Sequence, residues 1–193
     1  MNVYDFDGTI YDGDSTLDFW YFCLKKHPQI LLYLPYQCFG MVKYKLKIID
    51  KTKFKEYFFA FVKQIDILEK DVKEFWDLNE FKIMNWYKEN QKKDDLIISA
   101  SPFFLLNEIC KRQKIEYLIA SKVDPKTGYF DGNNCYGEEK VIQFFKRFPS
   151  HNIDAFYSDS YSDNPMASIA IRAYLVKKGK LSDWHFSEEK QTF

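Results

Sequence analysis

The spacing of apolar positions divides the chain into three parts. Val3–Phe6 is a short apolar run with Asp5 and Asp7 at its carboxyl side and Gly8-Thr9 beyond, the pattern of a buried strand ending in a turn. From about 14 to 90 nothing repeats with the period of a strand. Asp14-Ser15-Thr16 predicts the cap of a helix that runs through Lys26 and breaks at His27-Pro28. Helical spacing follows at about 29–48, 52–64 and 69–90, where Phe54, Phe58 and Phe61, then Phe75, Leu78 and Phe81, recur at three or four residues.

Past residue 95 the period shortens. Leu96-Ile97-Ile98 predicts a buried strand, and Ser101-Pro102 a helix start with proline at the first helical position, the helix running to about Gln113. Tyr117–Ala120 predicts another strand. Lys122–Asp131 encloses Asp124-Pro125-Lys126-Thr127-Gly128 and predicts a hairpin. A helix over Glu138–Phe148, a strand over Ile153–Tyr157, a short helix over Pro165–Ile171 and a last strand over Ala173–Val176 complete the series. Strands alternating with helices imply an α/β fold with a parallel sheet covered on both faces, a Rossmann-like three-layer arrangement. The expected layout is a core formed by 1–13 and 91–193, with 14–90 inserted as a helical cap after the first strand.

Composition narrows the function classes. The 193 residues suit one domain with an insertion, and 46% hydrophobic with 19% aromatic residues excludes a disordered chain. Lys+Arg 28 against Asp+Glu 28 gives no net charge and no signature of a nucleic-acid binder. Cys23, Cys38, Cys110 and Cys135 form no CxxC pair, which points away from a zinc site or a disulfide framework and toward a reducing compartment. After Met1 the chain opens Asn-Val-Tyr-Asp-Phe-Asp, without the basic and apolar regions of a signal peptide. Its greasiest stretch, Pro28–Val42, is interrupted by Pro35 and Gly40 and falls short of the roughly 20 residues of a membrane span. The expectation is a cytoplasmic, soluble protein.

In an open α/β sheet the ligand sits at the carboxyl ends of the strands. The polar residues expected there are Asp5, Asp7, Ser99, Asp159 and Asp163, with Lys140 opening a nearby helix. Four close carboxylates must take up a proton or a cation. Oxygen donors without His or Cys favour Mg2+. The set therefore points to Mg2+-dependent phosphoryl transfer with a carboxylate nucleophile.

Four segments, in order, resemble the haloacid-dehalogenase superfamily of phosphohydrolases. Asp5-Phe6-Asp7-Gly8-Thr9 is similar to its DxDGT motif, and Leu96–Pro102 to its apolar strand ending in Ser or Thr. Lys140 in CYGEEKV is similar to its lysine, and SDSYSD at 158–163 to its DxxxD. The resemblance spans essentially the whole chain, and its insertion looks like the cap of the phosphoserine-phosphatase-like branch. It implies Asp5 as nucleophile, forming an aspartyl-phosphate, and Asp7 as acid to the leaving group and then base for water. It implies Thr9, Ser99, Ala100 and Lys140 on the phosphate. It implies Asp5, Asp7 (through its carbonyl), Asp159 and Asp163 around Mg2+.

The insertion bears on the substrate. Residues 19–61 hold 13 aromatics, eight lysines and two acids. This mixture suits an anionic substrate with an apolar part or a negatively charged membrane surface, so peripheral membrane contact through the cap is one expectation. Aromatics that pack the cap under solvated lysines are the other. Phosphoserine phosphatases place a cap Arg on the substrate carboxylate, and no Arg lies between 14 and 90; Lys53 or Lys55 would have to replace it. HPQILLYLP, CYGEEKV and YSDSYSDNP are also similar to the bacterial branch that includes phosphatidylglycerophosphatase C. The expected substrate is a small or lipid-linked phosphate monoester. A response-regulator receiver would share an acidic cluster, Ser/Thr and Lys, but not Asp7 or the long insertion. A binding protein that lost catalysis would not need the full set.

Overall fold

The structure, a computed structural model, describes residues 1–186. Its centre is a six-stranded sheet. In chain order the strands are β1 (Asn2–Tyr4), β2 (Leu96–Pro102), β3 (Tyr117–Ser121), β4 (Ile153–Ser158), β5 (Ala170–Lys177) and β6 (Lys180–Asp183), and across the sheet they run β3-β2-β1-β4-β5-β6. All neighbours are parallel except β5 and β6. The parallel α/β core expected from the pattern is therefore present. β1 lies between β2 and β4, although some 90 residues separate β1 from β2 in sequence.

Alternation along the strands fills two cores. Tyr4, Phe6, Ile97 and Leu118 face one side, where α6 (Phe103–Arg112) and much of the insertion cover them. Val3, Leu96, Ile98, Ile119 and Phe156 face the other, under α7 (Glu138–Arg147) and α8 (Asn164–Ile169).

Between β1 and β2 the described chain is helical, as its period predicts. Its α-helices are α1 (Ser15–Lys26), α2 (Leu34–Lys45), α3 (Lys51–Phe59), α4 (Leu68–Asn79) and α5 (Asn85–Asn90), with 3-10 turns at Pro28–Tyr33, Ala60–Gln64 and Glu80–Lys82. Asp14 caps α1, accepting from the Leu17 N–H at 3.0 Å. Phe19, Phe59, Phe61, Phe75 and Trp76 join the core of the first sheet face without a break, and Trp76 donates to the Leu105 carbonyl of α6 at 2.8 Å.

Several boundaries differ from the pattern. β2 continues through Pro102, which caps α6 with extended backbone, so the helix begins at Phe103 and the proline is not its first residue. The expected 29–48 helix divides at Leu34, with Pro35 in the first turn of α2, and the 69–90 helix divides at Glu80–Lys82. The 122–131 hairpin keeps a single antiparallel bridge, Val123 to Phe130; Asp124 Oδ1 holds its turn by accepting from the Lys126 and Thr127 N–H groups. β6 has no counterpart in the pattern because all four of its residues are exposed and show no apolar alternation. Lys178 and Gly179, both at positive φ, make the two-residue turn that leads into it. Among the described residues no helix is long and apolar enough to cross a membrane.

Candidate active site

The carboxyl ends of β1, β2 and β4 open into one cleft of about 700 Å3, lined among others by Asp5, Asp7, Ser99, Ala100, Lys140, Asp159 and Asp163. The strand-end residues singled out by the sequence therefore meet in space. A cavity of similar volume beside β3, lined by residues including Phe103, Leu118 and Arg147, contains none of them.

Asp5 follows the last residue of β1, and its N–H donates to the Tyr157 carbonyl of β4 at 2.8 Å. Lys140, in the first turn of α7, is fully buried. Its Nζ donates to Asp5 Oδ1 at 2.8 Å and to Asp163 Oδ2 at 2.7 Å. Burial pushes the Asp5 carboxyl upward, and the Lys140 ammonium opposes that shift.

Asp7 has different surroundings. Its Oδ1 accepts from the Ser15 N–H at 2.7 Å, at the N-terminus of α1, and its Oδ2 accepts from the Ser101 hydroxyl. Thr16 Oγ1 lies 2.9 Å from that hydroxyl. Burial first, then the nearby Asp14 charge, push the Asp7 carboxyl up to about 6, against these hydrogen bonds.

The β2 edge explains how Ser99, Ala100 and Ser101 reach the cleft. Ser99 pairs with Ala120 of β3, but the next pair is Pro102 with Ser121, so two residues bulge out of the ladder. The Ala100 carbonyl, freed from the ladder, accepts from Ser121 Oγ at 3.0 Å and from Lys55 Nζ at 2.7 Å. Ser99 Oγ is buried and accepts from the Ser101 N–H at 3.1 Å.

Asp159 lies against the backbone of Gly8. Gly8 has φ +69°, and a Cβ there would collide with the Asp159 carboxyl, so this position takes no larger residue without displacing Asp159. Burial raises the Asp159 carboxyl. Asp163 Oδ2 accepts from Lys140 and from Ser158 Oγ, whereas Asp163 Oδ1 is buried with no protein partner. A buried acceptor left open among carboxylates, with only oxygen donors around it, fits a hard cation such as Mg2+. No three His, Cys, Asp or Glu side chains among the described residues form a ready-made metal cage.

Thr9 is the member of the expected set that stands apart. Its hydroxyl is fully buried without a partner, it does not line the cleft, and its carbonyl accepts from Trp86 Nε1 at 3.2 Å. Other residues join the cleft without having been singled out: Ser101, Ser160, Ser162, Tyr136 and Lys51, whose Nζ sits 3.1 Å from the centre of the Tyr136 ring. Ser101 was legible only as a helix start, and the bulge that turns it to Asp7 leaves no mark in the apolar period. Of the two lysines weighed for substrate contact, Lys55 lines the cleft, while Lys53 is exposed and pairs with Glu56. The insertion adds an apolar wall to the cleft: Leu17, Met41, Phe54, Phe58 and Phe59.

Known proteins resemble this chain in sequence or fold to different degrees. Protein CicA of Caulobacter vibrioides is 28% identical over 92% of this chain and 86% of its own length. A solved protein of unknown function from Bordetella pertussis Tohama I superposes with a TM-score of 0.74 at 17% identity, over 90% of this chain and 87% of that one. A phosphoserine phosphatase solved as a phospho-aspartyl intermediate analogue superposes with a TM-score of 0.54 at 13% identity, over 89% and 83%. The family description that matches residues 3–168 is that of the haloacid dehalogenase-like hydrolases, and over that span, from β1 into α8, this chain is a member of that family.

Proposed function

We propose that the protein is a Mg2+-dependent phosphatase that hydrolyses a phosphate monoester through a phosphorylated Asp5. The observation that carries this reading is the contrast between two carboxylates in one cleft. Burial raises both carboxyls, and they differ in their partners: Asp5 is held against the Lys140 ammonium, and Asp7 by a hydroxyl and a helix N-terminus. Separate environments for neighbouring carboxyls assign separate acid–base roles. The phospho-aspartyl phosphoserine phosphatase of the same fold supports the assignment.

In the proposed reaction an Asp5 oxygen attacks phosphorus while the ester oxygen leaves. Protonated Asp7 gives its proton to that oxygen, so the alcohol departs neutral. Asp7, now charged, takes a proton from water as the water oxygen attacks the phosphorus of phospho-Asp5, releasing inorganic phosphate and restoring Asp5. Ser99 and Lys140 hold the phosphoryl oxygens, and the ammonium offsets charge that builds on them. Asp5, Asp159, Asp163 and the Asp7 carbonyl would hold Mg2+, which when bound supplies positive charge to the phosphoryl group.

Residues 14–90 serve in this reading as the cap over a core of 1–13 and 91–193. The apolar wall and the Lys51 and Lys55 ammonium groups favour a monoester whose organic part is apolar with further negative charge, over phosphoserine. The test is hydrolysis of p-nitrophenyl phosphate by the purified protein with Mg2+ and after chelation. Wild type turns over only with the ion, and Asp5→Asn abolishes turnover. Turnover by Asp5→Asn at the wild-type rate would refute the mechanism.

A further inference from the structure

Helix α2 is packed inside out. A helix on a protein surface normally turns its apolar stripe to the core. In α2 the buried residues are Gln37 and Gly40. Gln37 Nε2 donates to the Phe58 carbonyl at 2.8 Å, and the Gly40 backbone lies so close to Tyr57 that a Cβ there would collide with its side chain. The outward positions of α2 and its flanks are largely apolar. Leu34, Phe39 and Val42 in the helix and Leu32, Leu46 and Ile48 beside it are all exposed, Leu32 to 79% and Leu46 to 65%. Exposed apolar residues gathered along one segment mark an interaction face.

Charge selects the occupant. Pro28–Ile49 contains no Asp or Glu and carries Lys43, Lys45 and Lys47 toward its end. A second copy meeting the same face would bring like charges together. Anionic lipid headgroups complement them, and lysine stems can lie along apolar surface while the ammonium reaches the headgroups. A 12-residue helix with one apolar outward face and basic residues in its last turn suits a position within the interface, not across the bilayer. The face is also continuous with the cleft: Met41, exposed on α2, lines it, and Tyr44 stacks on Phe54, another lining residue, at 5.1 Å between ring centres.

We infer that the outer surface of residues 31–48 seats on an anionic lipid membrane, with the mouth of the cleft beside it. The docking stands whether or not the proposed chemistry does.

Cosedimentation with vesicles tests it. One set is phosphatidylcholine alone, the other phosphatidylcholine with phosphatidylglycerol. The wild-type protein binds the anionic set, and raised salt weakens that binding. A Val42→Glu, Leu46→Glu double variant loses affinity by about tenfold or more, while its thermal midpoint and its turnover of p-nitrophenyl phosphate stay at the wild-type level. Absence of binding to the anionic vesicles overturns the inference. So does equal binding by wild type and double variant, or a concentration-dependent dimer in sedimentation velocity that the double variant abolishes. Vesicle binding by a protein that turns over no aryl phosphate supports the docking and removes the hydrolase reading, so the two can fail separately.

Discussion

Lys55 Nζ donates to the Ala100 carbonyl at 2.7 Å, joining the helical insertion to the bulge of β2 that carries Ser99 and Ser101. A second bond, to Asn134 Oδ1 at 2.9 Å, ties the same ammonium to the loop before α7. Three segments distant in sequence thus share one cation at the cleft wall. Its burial holds the ammonium well below the usual lysine range, at about 8.

Lys55→Met keeps the length of the side chain and removes both bonds, leaving the Ala100 carbonyl and Asn134 Oδ1 to share the Ser121 hydroxyl as donor. Losing the charged donor costs about 1–3 kcal/mol, part of it as misplacement of the Ser99–Ser101 bulge. The expected result is a fall of about tenfold or more in kcat/KM for p-nitrophenyl phosphate. Lys53→Met, which removes an exposed i,i+3 pair with Glu56, leaves kcat/KM unchanged. Equal effects from the two variants would refute the distinction between them.

Lys140 is fully buried between Asp5 and Asp163. Replacing it by Met strands two buried carboxylates, at a cost of about 3–5 kcal/mol. The thermal midpoint should fall on the order of 10 °C, and added Mg2+ should recover part of the loss. Asp5→Asn leaves Lys140 paired with Asp163 and should change the midpoint little. Thermal scans of the two variants, with and without the ion, decide this.

Asp7 and Asp159 separate turnover from metal demand. Asp7→Asn removes the proton donor and should lower kcat by about 100-fold or more with the Mg2+ requirement unchanged. Asp159→Asn should raise the Mg2+ concentration for half-maximal rate by about tenfold or more. Gly8→Ala should resemble Asp159→Asn, because its methyl group displaces that carboxyl. Mg2+ titrations of all three variants provide the check.

Asp95 lies outside the cleft, before β2. Its side chain is buried, Oδ2 accepts from the Lys92 N–H at 2.7 Å and Oδ1 has no partner. Burial is the main cause of a carboxyl pushed up to about 6. The folded chain therefore takes up this proton more readily than the unfolded one. Its stability contribution is present at low pH and is lost as pH rises from about 4 to about 6. Above that the buried charge costs about 2–3 kcal/mol. Asp95→Asn should melt several degrees above wild type at pH 7.5 and level with it near pH 4. Coincident melting curves at pH 7.5 would count against the assignment.

The parallel core was readable because its central strands are buried and write apolar runs, as at Leu96–Ile98 and Ala155–Tyr157. The carboxylates at their ends were readable for the same reason: strand ends converge once the topology is known. The bulge at Ala100-Ser101 was not, because a displaced pair of residues leaves the apolar period intact. Lys55 was singled out only together with Lys53, and the choice between them is a matter of helix phase in α3 against the bulge. β6 escaped because a solvent-exposed edge strand has no face to hide. The insertion's aromatics left packing and exposure both open, and the structure divides them: Phe19, Phe59 and Phe61 pack inside, while Phe39 and Tyr44 face out.

The unbroken core that joins Phe6 and Leu105 to Phe59, Phe75 and Trp76 has a consequence for modularity. Residues 14–90 cannot be lifted out and exchanged for another chain's insertion as an independent part, because the sheet face they share with α6 would lose much of its cover with them. Reprogramming which molecules the protein accepts has to proceed in place, through the few insertion side chains that reach the cleft without also roofing the sheet, Leu17, Met41, Lys51, Phe54 and Lys55 among them.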